Sequence, residues 1–304
     1  MAKFTTFDQH VLGMTTACVF SIDDAYVMPF QVFFHSLEAT SSLPNGIPLF
    51  ILHTDALSAG SIDRLEEFLG RYGRSASFLD ATRLIPEQLP IREGDHVSPA
   101  TFYRLFIAEI LPHYINQAVY LDADMLALGS IASLFSLSVS AMVAAADHCA
   151  PVEEHRLWGA LGGSYFQAGV LVIPIQAWRK HGLSRTFVEV MQAHQDSIRW
   201  WDQDVLNISL SDRWQRIPIW INTSEAVVSA FPAELVRKSA QLIHYSGSRK
   251  PWNSLNPSPF TAHWDNAYEA TFGVAFNRQA LLPPLAHRFK VALRSRLSGL
   301  IHGR

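Results

Sequence analysis

The stretch AVYLDADML, residues 118–126, is a short apolar run that ends on two aspartates. Ala118 to Leu121 has the length and apolar character of a buried strand, and Asp122-Ala-Asp124 follows where such a strand would end. Two carboxylates in one turn offer hard oxygen donors to a divalent cation of the magnesium or manganese kind. The spacing alone is weakly specific, because Asp202-Gln-Asp204 repeats it in the same chain. Its position at a strand end is what gives it weight.

Working outward, the same alternation recurs. Thr16 to Ile22 (TACVFSI) is an apolar, β-branched run that stops at Asp23-Asp24. Val27 to Leu37 carries apolar residues at helical spacing and is terminated by SSLPNG (41–46). Pro48 to His53 and Ser75 to Leu79 read as strands, with a helix over Ile62 to Leu69 between them. A helix is predicted over Thr101 to Leu111, with Pro99 as its start signal. Beyond the aspartates, Met142 to Ala146 is a strand running into Asp147, and Gln167 to Pro174 a buried strand. A long amphipathic helix is expected over Ile175 to Gln195, and another over Trp200 to Leu210, entered through Asp202. Residues 211–265, rich in Trp, Pro, Asn and Ser, suit loops that shape a site. Strands alternating with helices predict an α/β fold with a largely parallel, doubly wound sheet. Ligands should gather at the carboxyl ends of its strands, where Asp23, Asp122 and Asp147 stand.

The composition narrows the classes. The 304 residues are 49% hydrophobic and 17% charged, enough to enclose a core and far from a disordered polyelectrolyte. Two cysteines, Cys18 and Cys149, make no disulfide framework and read as buried, reduced thiols of a cytosolic protein. Lys3, Asp8 and His10 precede any apolar run, which argues against a secretory signal. Met125 to Ala146 is 22 residues without a charge, but Gly129, five serines and the flanking Asp124 and Asp147 favour a loop, a short helix and a strand over a membrane span.

Charge is uneven along the chain. Residues 1–269 hold 18 basic and 27 acidic groups, whereas the remainder holds six basic groups and no acid. A nucleic-acid binder would be basic more uniformly, so no nucleic-acid partner is expected. In the tail, Leu285, Phe289, Leu293, Leu297 and Leu300 form a helical apolar stripe among Arg288, Lys290, Arg294 and Arg296. Such a helix either packs on the body or lies on an anionic membrane surface.

His244 lies in IHYSGSRKPW (243–252), with Gly247 for close backbone approach and Lys250 as a cation for a phosphate oxygen. A metal held by two carboxylates and an imidazole, beside that lysine, would neutralise a diphosphate. Neither a GxxxxGK[ST] loop nor a GxGxxG turn occurs, which removes the main signals of P-loop and dinucleotide enzymes.

Four segments, YLDADML (120–126), YFQAGVLVI (165–173), DQDVLN (202–207) and HYSGSRKPW (244–252), together resemble glycosyltransferase family 8 in order and spacing. VFSIDDAY (19–26) and TFYRL (101–105) add to the resemblance, which spans about residues 16–255. The family includes retaining lipopolysaccharide α-glucosyl- and α-galactosyltransferases and, more distantly, glycogenin. The resemblance implies a GT-A fold, a UDP-glucose or UDP-galactose donor, and Mn2+, for which Mg2+ could substitute. By motif it makes Asp122, Asp124 and His244 metal ligands, and puts Ser21 and Asp23 at the uracil and ribose. Arg104 and Gln167 fall at donor-sugar positions, Gly247 and Lys250 at the diphosphate, and Asp147, Asp202 and Gln203 at the sugar and reaction centre. The chain departs from the family pattern at Ala25, often asparagine, and at Gln167, where FNAGV becomes FQAGV.

The expected organisation is a catalytic domain over 14–275 followed by a basic amphipathic tail over 276–304. The expected function is hexosyl transfer to a saccharide or glycolipid acceptor, probed by whether UDP or pyrophosphate is released. A metal-dependent nucleotidyltransferase and a silent sugar-nucleotide-binding protein are the alternatives. The expected place is the cytoplasm, with the tail on the inner face of the cytoplasmic membrane.

Overall fold

The computed structural model describes residues 15–95, 97–149, 164–255 and 260–281. Two compact units divide at His244, one over residues 1–244 and the other over 245–304. The expected tail helix over 285–304 lies outside the described residues.

The first unit is built on seven strands in the order β3-β2-β1-β4-β7-β6-β8. These are β1 (Thr16–Ser21), β2 (Leu49–His53), β3 (Ala76–Asp80), β4 (Gln117–Leu121), β6 (Val143–Asp147), β7 (Phe166–Pro174) and β8 (Trp214–Ile217). All pairings are parallel except those of β7, which runs antiparallel to both β4 and β6. A second ribbon pairs β5 (Met125–Ala127) with β9 (Leu242–His244).

The strand period of two accounts for the two cores. Ala17 and Val19 of β1 and Ala118 and Tyr120 of β4 face one core with Trp178, Phe187 and Leu206. Cys18, Phe20, Val119 and Leu121 face the other, with Phe30, Phe33 and Phe34. Both faces are covered, and the central strands therefore read as unbroken apolar runs.

Most expected elements stand close to where the residues placed them, including the helices α1 (Val27–Ala39) and α2 (Ala59–Gly70). Three differ. The helix expected over Thr101 to Leu111 is a 3-10 helix over Pro99–Phe106, continued by one α-helical turn, α3 (Ile107–Ile110). Phe102 to Ala108 are all buried, so this segment threads the interior and has no solvent face to set a 3.6 period. The helix expected over Ile175 to Gln195 is two: α4 (Ile175–His181) and α5 (Leu183–Ala193). Gly182 breaks it by taking the left-handed conformation (φ 59°) that caps α4. Of the two free cysteines, Cys18 is buried but Cys149 is half-buried. The uncharged run 125–146 is β5, a 3-10 helix (Ala132–Ser136) and β6, and no described helix is long and apolar enough to cross a membrane.

Candidate active site

Strand order reverses between β1 and β4, and their carboxyl ends open the crevice where α/β sheets bind ligands. Asp23 follows β1 and Asp122 follows β4. Because β7 is antiparallel, its amino-terminal residues lie at this same edge, with Val170 opposite Leu121. Gly169 then accepts a 2.9 Å hydrogen bond from the Asp122 amide, which seats FQAG beside DAD.

The β5–β9 ribbon delivers the third group. Met125 pairs with His244, which carries the imidazole to the residue just past Asp124. His244 Nε2 lies 3.2 Å from Asp124 Oδ1 and 3.7 Å from Asp122 Oδ2. One donor atom from each of Asp122, Asp124 and His244 falls within 4.8 Å of the others. Gly169 makes room for the ring, since a Cβ there would lie 2.4 Å from His244 Cε1.

Arg104 ties this triad to the second acidic motif. Its Nη2 lies 2.7 Å from Asp122 Oδ1, and its Nη1 donates to the Ala168 carbonyl at 2.6 Å. Its Nε donates to the Thr101 carbonyl and sits 2.9 Å from Asp202 Oδ2, so the Asp202 contact is ionic and is not an aligned hydrogen bond. The Tyr120 ring lies under the guanidinium at 4.5 Å, and its hydroxyl donates to Asp122 at 3.0 Å. Burial pushes the Asp202 carboxyl up to about 7, opposed by Arg104 and reinforced by Asp122. Two carboxylates, Asp122 and Asp202, share the Arg104 guanidinium, and Asp124 adds a third beside His244, an acidic setting that a divalent cation would balance. The donor set, two carboxylates and one imidazole, fits manganese or magnesium in type.

The DQDVLN motif is a clamp on β7. It opens α6 (Trp201–Leu210), where Trp201 is left-handed (φ 45°). The register between β6 and β7 shifts between Ala145 and Ala146, so residues 168–170 leave that ladder and the Ala168 and Gly169 amides turn to side chains. Gln203 Oε1 accepts from the Ala168 amide at 3.0 Å. Asn207 grips Phe166 from both sides, accepting from its amide at 2.8 Å and donating to its carbonyl at 2.9 Å. Asp204, fully buried, accepts from the Tyr165 hydroxyl and from the Arg199 and Trp200 amides.

The other expected residues fall as follows. Ser21 is buried at the end of β1, and Asp23 accepts from the Ala25 amide at 3.0 Å, capping a 3-10 turn. Asp147 ends β6 at the same sheet edge, accepts from the Cys149 amide, and faces Arg216 at 3.7 Å; it is not part of the triad. Gln167 gives its oxygen to the Gly169 amide and to Asn222 Nδ2. Gly247 and Lys250 belong to the second unit, where buried Lys250 donates from Nζ to the Tyr245 carbonyl and from its amide to Asn253.

Three contributors were not singled out from the residues alone. Tyr120 stands two residues before Asp122, and strand alternation places both on one face, so its signal was present. Gly169 was visible as the glycine of FQAGV. Asn222, which meets His244 Nδ1 at 2.9 Å, lies in INTS with no pattern to mark it.

The family model for glycosyl transferase family 8 matches residues 17–256. The lipopolysaccharide 1,2-glucosyltransferase of Escherichia coli K12 is 28% identical over 184 residues, which cover 57% of this chain and 54% of that one. The lipopolysaccharide 1,3-galactosyltransferase of Salmonella typhimurium LT2 is 27% identical over 270 residues, 81% of this chain and 75% of that one. The chain thus spans about half of one relative and three quarters of the other. Among solved structures, the galactosyltransferase LgtC, in complex with donor and acceptor sugar analogs, superposes with a TM-score of 0.69 at 22% identity, covering 88% of this chain and all of that one. That likeness gives the fold, GT-A, and the family match covers the sheet edge, the triad and the clamp alike; the chain belongs to glycosyltransferase family 8.

Proposed function

We propose that this glycosyltransferase moves glucose or galactose from its UDP derivative to a saccharide acceptor of the lipopolysaccharide or cell-surface glycan class, with retention of the α configuration. The observation that carries the reading is the meeting of Asp122, Asp124 and His244 at the sheet edge, one guanidinium away from Asp202. The glucosyl- and galactosyltransferase relatives support the choice of hexose and acceptor.

Ser21 and Asp23, at the end of β1, are assigned to the uracil and ribose. Gly247 and Lys250, which follow His244 closely in sequence, are assigned to the diphosphate. Asp122, Asp124 and His244 would hold Mn2+, or Mg2+ in its place. The bound cation supplies charge neutralisation for the departing UDP, the electrostatic contribution such transfers depend on. Arg104 keeps Asp122 and Asp202 apart and oriented, and Asp202 orients the sugar or the acceptor. Gln203, held by its bond to the Ala168 amide, is assigned to the reaction centre, where it would offer a neutral amide to the anomeric carbon. An amide is a poor nucleophile, so same-face attack by the acceptor hydroxyl is favoured over a glycosyl-enzyme, with a donor phosphate oxygen taking the proton. Asp147, paired only loosely with Arg216, is the carboxylate available for the alternative covalent route. The basic stripe of 285–304 is assigned to an anionic membrane surface, where a lipid-linked acceptor would be met.

The test is incubation with a panel of UDP-sugars and a lipopolysaccharide-derived acceptor, with UDP release followed and the product anomer read by NMR. An α-linked hexose and UDP are expected. Pyrophosphate release or a β-linked product would overturn the reading.

A further inference from the structure

Gln167 occupies the position where the family carries asparagine, and its oxygen is engaged inside the protein. Gln167 Oε1 accepts from the Gly169 amide at 2.5 Å and from Asn222 Nδ2 at 2.7 Å. Asn222 in turn meets His244 Nδ1 at 2.9 Å, and the far side of that ring, Nε2, faces Asp124 and Asp122. Gln167, Asn222 and His244 are 6%, 0% and 4% exposed, so water does not compete for these bonds.

The directions of these bonds follow from one unambiguous donor. A backbone N–H can only donate, so the Gln167 atom facing Gly169 must be its oxygen. That oxygen requires a donor from Asn222, which turns the Asn222 amide nitrogen toward Gln167 and its oxygen toward the imidazole. The Asn222 oxygen then requires a proton on His244 Nδ1. A neutral ring with its proton on Nδ1 has its lone pair on Nε2, aimed at the two aspartates. The amide orientation and the histidine tautomer, often free choices, are here fixed by the backbone of β7.

We propose that Gln167 and Asn222 are positioning residues for the cation: through this relay they hold His244 in the tautomer and ring orientation that a divalent metal needs. The inference rests on the metal reading of the triad. It assigns to Gln167 a function at the cation site, reached through two intermediate groups, in place of a contact with the donor sugar alone. Partners of this kind on a metal-ligating histidine typically change metal affinity about 10–100-fold when removed. Bulk is not the issue, since methionine at 167 keeps the chain length while removing the amide and, with it, the acceptor of both bonds.

The experiment has two readouts. Long-range 15N–1H NMR of the metal-free protein, at a pH where the ring is neutral, reports the His244 tautomer. Titration with Mn2+ in the absence of donor, by electron paramagnetic resonance, reports affinity. Expected are a protonated Nδ1 and bare Nε2 in the wild type, a mixed tautomer in Gln167→Met, and a roughly 10–100-fold weaker Mn2+ affinity in that variant. A bare Nδ1 in the wild type would overturn the relay. So would a Gln167→Met protein that binds Mn2+ as the wild type does and loses only KM for the UDP-sugar. If Gln167→Met fails to fold, the wild-type tautomer decides. A wild-type protein that shows the Nδ1 tautomer yet binds no Mn2+ would sink the metal reading and, with it, the proposed purpose of the relay.

Discussion

Gly169 and His244 touch across the sheet edge: a Cβ on Gly169 would lie 2.4 Å from His244 Cε1 and 2.6 Å from its Nδ1. Neither atom can retreat easily, because Nδ1 is bonded to Asn222 and β7 is bonded to β4. Gly169→Ala should therefore push the imidazole off the two aspartates. Overpacking of this kind costs about 1–3 kcal/mol of stability, and the ring displacement should weaken Mn2+ binding as well. Thermal unfolding together with a Mn2+ titration checks both, and an alanine variant with wild-type affinity would show that the ring has room.

Asn207 makes a different demand, because it holds β7 without facing the triad. Asn207→Leu would leave the Phe166 amide and carbonyl without their side-chain partner in a buried place. Each stranded group costs about 1–3 kcal/mol, so the midpoint of urea unfolding should fall clearly. Turnover should fall too, since Gln203 rides on the same helix, while Mn2+ affinity stays near that of the wild type. A variant of unchanged stability would contradict the clamp.

Asp202 links the site to pH. Its carboxyl is raised from 3.8 to about 7, chiefly by burial. Between those values the folded protein holds a proton that the unfolded chain releases, so the contribution of this group to stability declines as pH rises through that window. Asp202→Asn cannot titrate, and the stability of the metal-free variant should fall less than that of the wild type between pH 4 and about pH 7. Melting curves across this range provide the comparison. Parallel curves would mean that Asp202 is already ionised at low pH in the fold.

The basic stripe beyond Leu285 gives a further expectation. Deleting residues 285–304 should abolish sedimentation with anionic vesicles but spare transfer to a soluble acceptor. Equal sedimentation of the shortened protein would remove the membrane assignment.

Much of this architecture was legible in the residues. Apolar runs that stop at aspartates located β1, β4 and β6, because a buried strand must end where charge begins. The four motifs marked Asp122, Asp124, His244 and the DQDVLN segment, but not the hold that Gln203 and Asn207 keep on β7. What the residues did not carry was direction: a run such as GVLVI is equally buried in a parallel or an antiparallel strand, and only the antiparallel course of β7 brings Gln167 and Gly169 to the cation edge. Gly182 is a plain helix breaker that the surrounding amphipathic pattern obscured. Asn222 left no trace, since a single buried amide in a loop has neither period nor spacing, and its partners lie 22 and 55 residues away.

The central claim is that a cation held by the triad drives departure of UDP. The most direct measurement is UDP release from UDP-glucose and UDP-galactose in Mn2+, comparing the wild type with Asp124→Asn after both are shown to be folded. Release by the wild type, stopped by chelator and reduced to background in Asp124→Asn, is expected. Undiminished release by Asp124→Asn in the presence of chelator would contradict the claim.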